Sequence, residues 1–196
     1  DHSSNAIGNG VNETVITLKD DKYPVTVKLH YVAYGKENII RAFSEISHEE
    51  KKPVILCKYA SSMLHLNSSK YFLTEFSGDW AHEANVTERE LAFGKKVIDT
   101  KLGARANMFV SPFFQLALDN PSQENAGEVL VGTIGWTGNF RFTFEVDNKN
   151  ELRIISGINP YDSEYSLPAK EVFRTPDFYF TYSTQGKGEA SRNFHD

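Results

Sequence analysis

The sequence predicts an all-β fold of two packed antiparallel sheets with little helix. In several short segments apolar and polar residues alternate with a period of two, the pattern of strands with one buried and one solvated face. Aromatic residues, which favour sheets, make up 13% of the 196 residues and include 14 Phe and 9 Tyr. About a dozen such segments recur every ten residues or so, a spacing typical of β-sandwiches.

The N-terminal half contains most of the short predicted strands. Residues 1–12 are polar and rich in Gly and Asn, which predicts a lead-in or an entering loop. Alternation over residues 25–31 predicts a half-buried strand that pairs with residues 39–46 across a turn at 35–38. Further short strands are predicted at residues 54–59, 63–66 and 71–76.

Residues 87–98 are compatible with two structures. Thr87 followed three residues later by Glu90 could cap a helix. Gly94 interrupts that helix, however, and the same residues can form strands. On the residues alone both interpretations stay open.

Residues 127–160 carry the most regular pattern in the chain. A hydrophobic run at 129–136 is followed by the turn Thr137-Gly138-Asn139 and by strict alternation over 140–146. Three residues with a central Gly suit a hairpin. A polar loop is predicted at residues 119–127, and strands are predicted at residues 152–158 and 178–183. Residues 189–195 are predicted to form the first turn of a helix.

Composition excludes several classes of partner. The formal net charge is −5, and the basic residues are scattered rather than grouped in the stripe that a nucleic-acid groove requires. No apolar run approaches the length that spans a bilayer, so no membrane segment is expected. No repeat or linker divides the chain, which predicts one domain.

The single cysteine, Cys57, excludes an internal disulfide and a cysteine-rich metal site. It lies in the apolar segment 53–57, which predicts a core thiol in a buried strand. One cysteine fits the cytoplasm and the periplasm of a bacterium alike, so the compartment is unknown. Because the chain starts at Asp1 without an initiator Met, we expect it to be processed, excised or incomplete.

Catalytic and metal motifs are absent from the sequence. The six histidines lack H-x-H and H-E-x-x-H spacing, and no nucleophile elbow or phosphate loop is found, so neither a metal nor a cofactor is expected. Glu88 and Glu90 would share a strand face, but nothing fixes any carboxylate pair at a catalytic separation. The acidic residues are therefore interpreted as solvated surface charges.

Several fragments, in a fixed order, resemble the N-terminal domain of α-galactosidases of glycoside hydrolase family 36. The similarity spans residues 23–195, and Ala169-Lys170 replaces the Gly expected there. The matching fragments are Leu73-Thr74, Gly78-Asp79-Trp80 with Glu83, residues 103–118, residues 127–160, Glu171-Val172-Phe173 with Thr175-Pro176, and Tyr182-Ser183 with Gly186, Ser191-Arg192 and His195. This resemblance favours strand for residues 88–98.

The resemblance implies a non-catalytic β-supersandwich. It divides the chain into three parts. Residues 1–22 are a lead-in that corresponds to a family segment present only in part, and residues 23–188 are the β-supersandwich domain. Residues 189–196 start a linker helix toward a (β/α)₈ barrel. The parent enzyme would be a retaining hydrolase of terminal α-D-galactose in melibiose- and raffinose-type oligosaccharides. Its catalytic aspartates would lie in the barrel, so the chain alone is expected to be inactive.

The resemblance implies three partners. The first is the barrel, which this domain would brace while it shapes the substrate mouth. The others are an α-galactoside substrate and further copies of the protein in a homo-oligomer, which in this family is a tetramer. A related specificity, α-N-acetylgalactosaminidase, is not distinguished. The alternative function is a stand-alone carbohydrate-binding module.

Two tryptophans are the candidate sugar contacts. Trp80 follows Asp79 and stands beside His82 and Glu83, and aromatic rings stack on sugars while carboxylates and imidazoles bind hydroxyls. These four residues could contact sugar or the barrel, or Trp80 could belong to the core. Trp136 precedes a turn, which favours core or hairpin packing over sugar contact.

Overall fold

The structure is a computed structural model that describes residues 1–195, with the side chains of Glu83 and Ala84 outside the description. The strands are β1 (His2–Gly8), β2 (Val11–Lys19), β3 (Val25–Tyr34), β4 (Ile39–His48), β5 (Val54–Leu56), β6 (Ser62–Asn67), β7 (Tyr71–Asp79), β8 (His82–Glu90), β9 (Gly94–Asp99), β10 (Val110–Leu118), β11 (Val129–Gly135), β12 (Phe140–Val146), β13 (Glu151–Ile158), β14 (Tyr165–Leu167), β15 (Val172–Arg174) and β16 (Asp177–Ser183). A 3₁₀ turn at Gly103–Arg105 and the helix α1 (Gly186–Arg192) complete the elements.

The strands form two main antiparallel sheets. The large sheet has the order β1-β2-β3-β4-β16-β11-β10-β7-β8, and β15 also pairs with β4. The small sheet has the order β6-β13-β12-β9, and β5 pairs with β14 in a separate two-stranded sheet. The all-β, two-sheet prediction is confirmed, with the two-stranded sheet as an addition.

The core lies between the inner faces of the two main sheets. Phe114 of the large sheet is fully buried and meets Phe142 and Phe144 of the small sheet edge-on, with ring centroids 5.2 and 4.9 Å apart. Gly132 makes room for these rings, because a Cβ there would lie 2.6 Å from Phe114 Cζ. Interlocking aromatic side chains therefore hold the sheets together.

The pairing predicted for residues 25–31 with residues 39–46 is confirmed, whereas the hairpin predicted around residues 137–139 is wrong. β3 and β4 pair along their full length, from Val25 opposite His48 to Tyr34 opposite Ile39. β11 and β12 are joined through residues 136–139 but lie in different sheets, so this connection crosses between the sheets instead of closing a hairpin. Residues 88–98 are strand rather than helix, interrupted between β8 and β9.

The loop prediction for residues 1–12 is wrong. β1 and most of β2 occupy this segment and pair in register, with Ser4 opposite Thr14. β1 lies at the edge of the large sheet and is exposed throughout. Its backbone hydrogen bonds alone make it a strand, so it carries no apolar alternation that the sequence could reveal.

The core-thiol prediction for Cys57 is also wrong. β5 ends at Leu56 and Cys57 is exposed. β5 belongs to the two-stranded sheet rather than to either main sheet. An apolar run therefore reaches the surface here instead of the core.

Helix α1 begins at Gly186, three residues before the predicted first turn, and Asp196 lies outside the described residues. The N–H groups of Gly186, Lys187 and Gly188 donate to the carbonyls of Gly127, Gln123 and Glu124. These bonds fasten the start of α1 to the loop between β10 and β11. From there the helix packs on the outer face of the large sheet, against β11 and β16.

Candidate functional site

The candidate residues Asp79, Trp80 and His82 lie at the turn between β7 and β8. Asp79 pairs with His82, and the Trp80 N–H donates to Asp79 Oδ1 at 2.7 Å. Ala81 closes the turn with a φ of 62°, in the left-handed region. The turn projects the Trp80 ring into solvent, 88% exposed, so the core alternative for Trp80 is wrong.

Asp79 and His82 are exposed beside Trp80. The structure therefore brings three of the four predicted residues together on one exposed turn. The side chain of Glu83 lies outside the described part of the chain, so its place in the cluster stays a prediction.

Two further connections lie at the same end of the molecule. The Gly78 N–H donates to the Phe109 carbonyl at 2.9 Å, which ties the Trp80 turn to residues 100–109. The Gly103 N–H donates to Asn139 Oδ1 at 2.7 Å, which ties residues 100–109 to residues 136–139. We call these three connections the loop end.

The loop end carries large apolar side chains that the core does not cover. The exposed ones are Trp80, Leu102, Met108, Phe109 and Trp136. A cavity of about 240 Å³ opens beside Trp136, lined also by Ala106 and Pro112. A concentration of exposed apolar side chains on a folded domain is typical of a surface that contacts another molecule or domain.

Trp136 packs against its own turn. A Cβ at Gly138 would lie 2.7 Å from Trp136 Nε1, so the ring covers the glycine closely. This contact is local packing of the kind expected for Trp136, and it still leaves 41% of the residue exposed.

The perturbed carboxyl groups of the described chain are all shifted toward the ionised form. Hydrogen bonds from Ser68 and Ser69 lower the pKa of Asp119, and an ionic hydrogen bond from Lys95 lowers the pKa of Glu145. Backbone N–H groups lower the pKa of Asp20 and Asp147 in the same way. The general acid of a glycosidase requires the opposite shift, so these groups are suited to structural roles.

Glu88, one of the weighed carboxylates, is also held by neighbours. Its Oε2 accepts hydrogen bonds from Thr74 Oγ1 at 3.1 Å and from the Ser122 N–H at 3.1 Å. Glu90 on the same strand pairs with Lys70. Within residues 1–195, no group of three or more His, Cys, Asp or Glu side chains is arranged to hold a metal ion. No described helix is long and apolar enough to cross a membrane.

Sequence reasoning missed two polar clusters on the outer face of the large sheet. His30 lies between Glu13 and Glu45, at 3.0 and 3.4 Å, and stacks on Phe43. A second cluster surrounds Gln115 next to α1. Each combines residues from separate strands, so only the sheet order, which local patterns do not contain, could have revealed them.

Comparison with known proteins identifies relatives over nearly the whole chain. The family model "Glycosyl hydrolase family 36 N-terminal domain" matches residues 3–168. Alpha-galactosidase AgaA of Geobacillus stearothermophilus is 29% identical over 92% of this chain, and Alpha-galactosidase 2 of Pediococcus pentosaceus is 29% identical over 95%. The chain spans about a quarter of the length of these relatives, 25% and 26%.

Solved structures agree with these matches. The crystal structure of AgaA from Geobacillus stearothermophilus superimposes with a TM-score of 0.90 at 26% identity, over 99% of this chain and 29% of that one. The α-galactosidase from Lactobacillus brevis gives a TM-score of 0.88 at 25% identity, over 97% of this chain and 26% of that one. A variant of AgaA has been crystallised with stachyose.

Proposed function

Because the chain belongs to the glycosyl hydrolase family 36 N-terminal domains, we propose that it is the non-catalytic β-sandwich of an α-galactosidase. The parent enzyme releases terminal α-D-galactose from galacto-oligosaccharides, and its catalytic aspartates lie in a (β/α)₈ barrel outside residues 1–196. The observation that carries the proposal is the extent of the match. Nearly all of this chain aligns with only about a quarter of each α-galactosidase.

The electrostatics of the chain support a non-catalytic role. Its perturbed carboxyl groups are stabilised as anions, whereas glycoside hydrolysis needs one carboxyl kept protonated as an acid. Two of the carboxylates on β8, Glu88 and Glu90, each have a protein partner.

The loop end is the surface we assign to the barrel. Its exposed apolar side chains resemble the uncovered half of a domain interface, and hydrogen bonds between the three connections hold them in fixed relative positions. Asp79, Trp80, His82 and Glu83 would line the barrel or the substrate mouth from this side. By family resemblance, the assembled enzyme is a homo-oligomer, a tetramer, which light scattering of the extended protein would test.

The main experiment compares this chain with the same chain extended through the following domain. Hydrolysis of an aryl α-galactoside is measured for both, and activity is expected only in the longer protein. Activity in the 196-residue chain would contradict the non-catalytic assignment, and a folded longer protein without activity would contradict the parent enzyme.

Trp80→Ala in the extended protein tests the loop end. We expect it to weaken activity or domain association, whereas Phe93→Ala leaves both unchanged. Phe93 is a matched control because it is also an exposed aromatic residue but lies at the opposite end of β8. Equal effects of the two variants would argue against the loop end as the contact surface.

The second candidate function is a stand-alone carbohydrate-binding module. The observation that favours it is the exposed Trp80 ring with Asp79 and His82 beside it. Under this function the isolated chain would bind galactose or raffinose, and Trp80→Ala would abolish the binding while Phe93→Ala would not. Absence of binding in the unmodified chain would remove this candidate.

A further inference from the structure

A polar cavity of about 490 Å³ opens on the outer face of the large sheet, beside helix α1. Its floor is formed by β7, β8 and β10, and its sides by the loop between β10 and β11 and by helix α1. This volume lies within the usual range for small-molecule sites. The hydrogen bonds from Gly186, Lys187 and Gly188 to the loop hold two of its walls together.

The wall combines one apolar patch with several polar groups. Phe76 and Val86 supply the apolar patch. The polar groups are Thr74, Glu88, Gln115, Ser122, Glu124, Lys187 and Ser191.

Gln115 is the most informative of these residues. It is only 9% exposed, and its side-chain amide reaches the open volume of the cavity, since it is not among the fully enclosed polar groups that lack a partner. An amide in this position can exchange its hydrogen bonds to water for hydrogen bonds to a ligand. Gln115 lines the cavity, so a ligand that offers both a donor and an acceptor would satisfy it there.

Glu88 is held in position on β8, two strands away from Gln115 in the large sheet. Its Oε2 accepts hydrogen bonds from Thr74 Oγ1, from the Ser122 N–H and from Ser122 Oγ. Its Oε1 makes no hydrogen bond to the described part of the protein and can accept one from a ligand. A carboxylate fixed in this way needs no rearrangement on binding, which favours affinity.

The charges and geometry select a neutral ligand. Glu88 and Glu124 outnumber Lys187, which disfavours phosphate and other anions. The described residues form no cluster arranged to hold a metal ion. A sugar offers hydroxyl groups that both donate and accept, and it has an apolar C–H face suited to Phe76.

We propose that this cavity binds a neutral saccharide of one or two rings, with Gln115, Glu88 and Lys187 as the hydrogen-bonding residues. The proposal rests on the cavity itself and does not depend on the function of the parent protein or on the Trp80 turn.

The experiment titrates the ¹⁵N-labelled 196-residue chain with D-galactose and with melibiose, and follows the amide signals. Saturable shifts are expected at the amides of Thr74, Gln115 and Ser191. Gln115→Leu keeps the volume of the side chain and removes its amide, so it should weaken binding about tenfold or more. Gln185→Leu is the matched control, because it makes the same change at an exposed position outside the cavity, and it should bind as the unmodified chain does.

Several results would overturn the proposal. These are the absence of saturable shifts, shifts confined to the Trp80 and Trp136 turns, unchanged binding by Gln115→Leu, and tighter binding of inorganic phosphate than of sugar in the cavity. If the amide spectrum shows that Gln115→Leu is unfolded, Lys187→Met takes its place with the same expected weakening, and unchanged binding by that variant would equally overturn the proposal.

Discussion

Large apolar side chains are concentrated in two regions of this domain, the core between the sheets and the loop end. In the core Phe114, Phe142 and Phe144 are buried and meet edge-on across the two sheets. At the loop end Trp80 and Trp136 are exposed on turns whose backbones are held by hydrogen bonds. The comparison separates two uses of apolar surface: the core stabilises the fold, and the loop end is available for contact with another domain or ligand.

The strongest test of this comparison is Phe114→Ala. Removing the ring leaves a cavity among rings that cannot fully close it, so the free energy of unfolding should fall by about 3–5 kcal/mol. Urea unfolding of the isolated chain measures this change. Phe93→Ala, at an exposed aromatic residue, should stay within about 0.5 kcal/mol of the unmodified chain. A loss for Phe114→Ala as small as that of the control would contradict the assignment of the core.

Gly132→Ala tests the same core by overfilling it. Its Cβ would lie 2.6 Å from Phe114 Cζ and 2.8 Å from Phe178 Cζ, so these rings must move, and we expect a loss of about 1–3 kcal/mol. Gly135→Ala is the matched control on the same strand, where the nearest atoms lie at 3.5 Å, an ordinary contact. Equal unfolding midpoints for the two variants would show that the core around Gly132 is looser than the structure indicates.

The dependence of stability on pH should originate outside both regions, at surface carboxylates. Hydrogen bonds from Ser68 and Ser69 hold the pKa of Asp119 below its ordinary value. A group whose pKa is lower in the folded state stabilises the fold above its unfolded pKa of about 4, and this contribution is lost as the pH falls through the folded value. Stability should therefore decrease below about pH 4.

Asp119→Asn isolates this contribution. Asn tolerates the positive φ of 64° at this position, so the change removes the charge with little backbone strain. The variant should be less stable than the unmodified chain at pH 7, and the difference should shrink at pH 3. Asp21→Asn, at an exposed carboxyl without a hydrogen bond to the described residues, should show no such change with pH. A difference that is constant between pH 7 and pH 3 would contradict this explanation.

The smallest expected effect on stability is that of Trp80→Ala. The ring is 88% exposed, so its removal should change the free energy of unfolding by less than about 0.5 kcal/mol. Urea unfolding of the isolated chain measures it directly. A loss above about 1 kcal/mol would mean that the loop end contributes to the fold and would remove the contrast with the core.

The predictable parts of the fold are those in which burial imposes a pattern on the sequence. β3, β4 and β12 each have one face toward the core or its margin, so their apolar residues alternate with a period of two and could be identified. β1 is exposed on both faces and Cys57 lies beyond the end of a peripheral strand, so the sequence predictions failed at both. The connection at 136–139 was predicted as a turn, but its crossing between sheets could not be seen, since pairing partners are not a local property.

The amino-acid sequence alone identifies the all-β class and the family, because alternating burial and ordered motifs are visible along the chain without knowledge of its folding. It also brought Asp79, Trp80 and His82 together, since they share one turn. The three-dimensional structure was needed to establish that Trp80 is exposed, that residues 136–139 lie at the same end as Trp80, and that Gln115 faces a cavity beside α1. These facts depend on which distant strands become neighbours, and that choice is made by the packing of the whole sheet rather than by any local pattern.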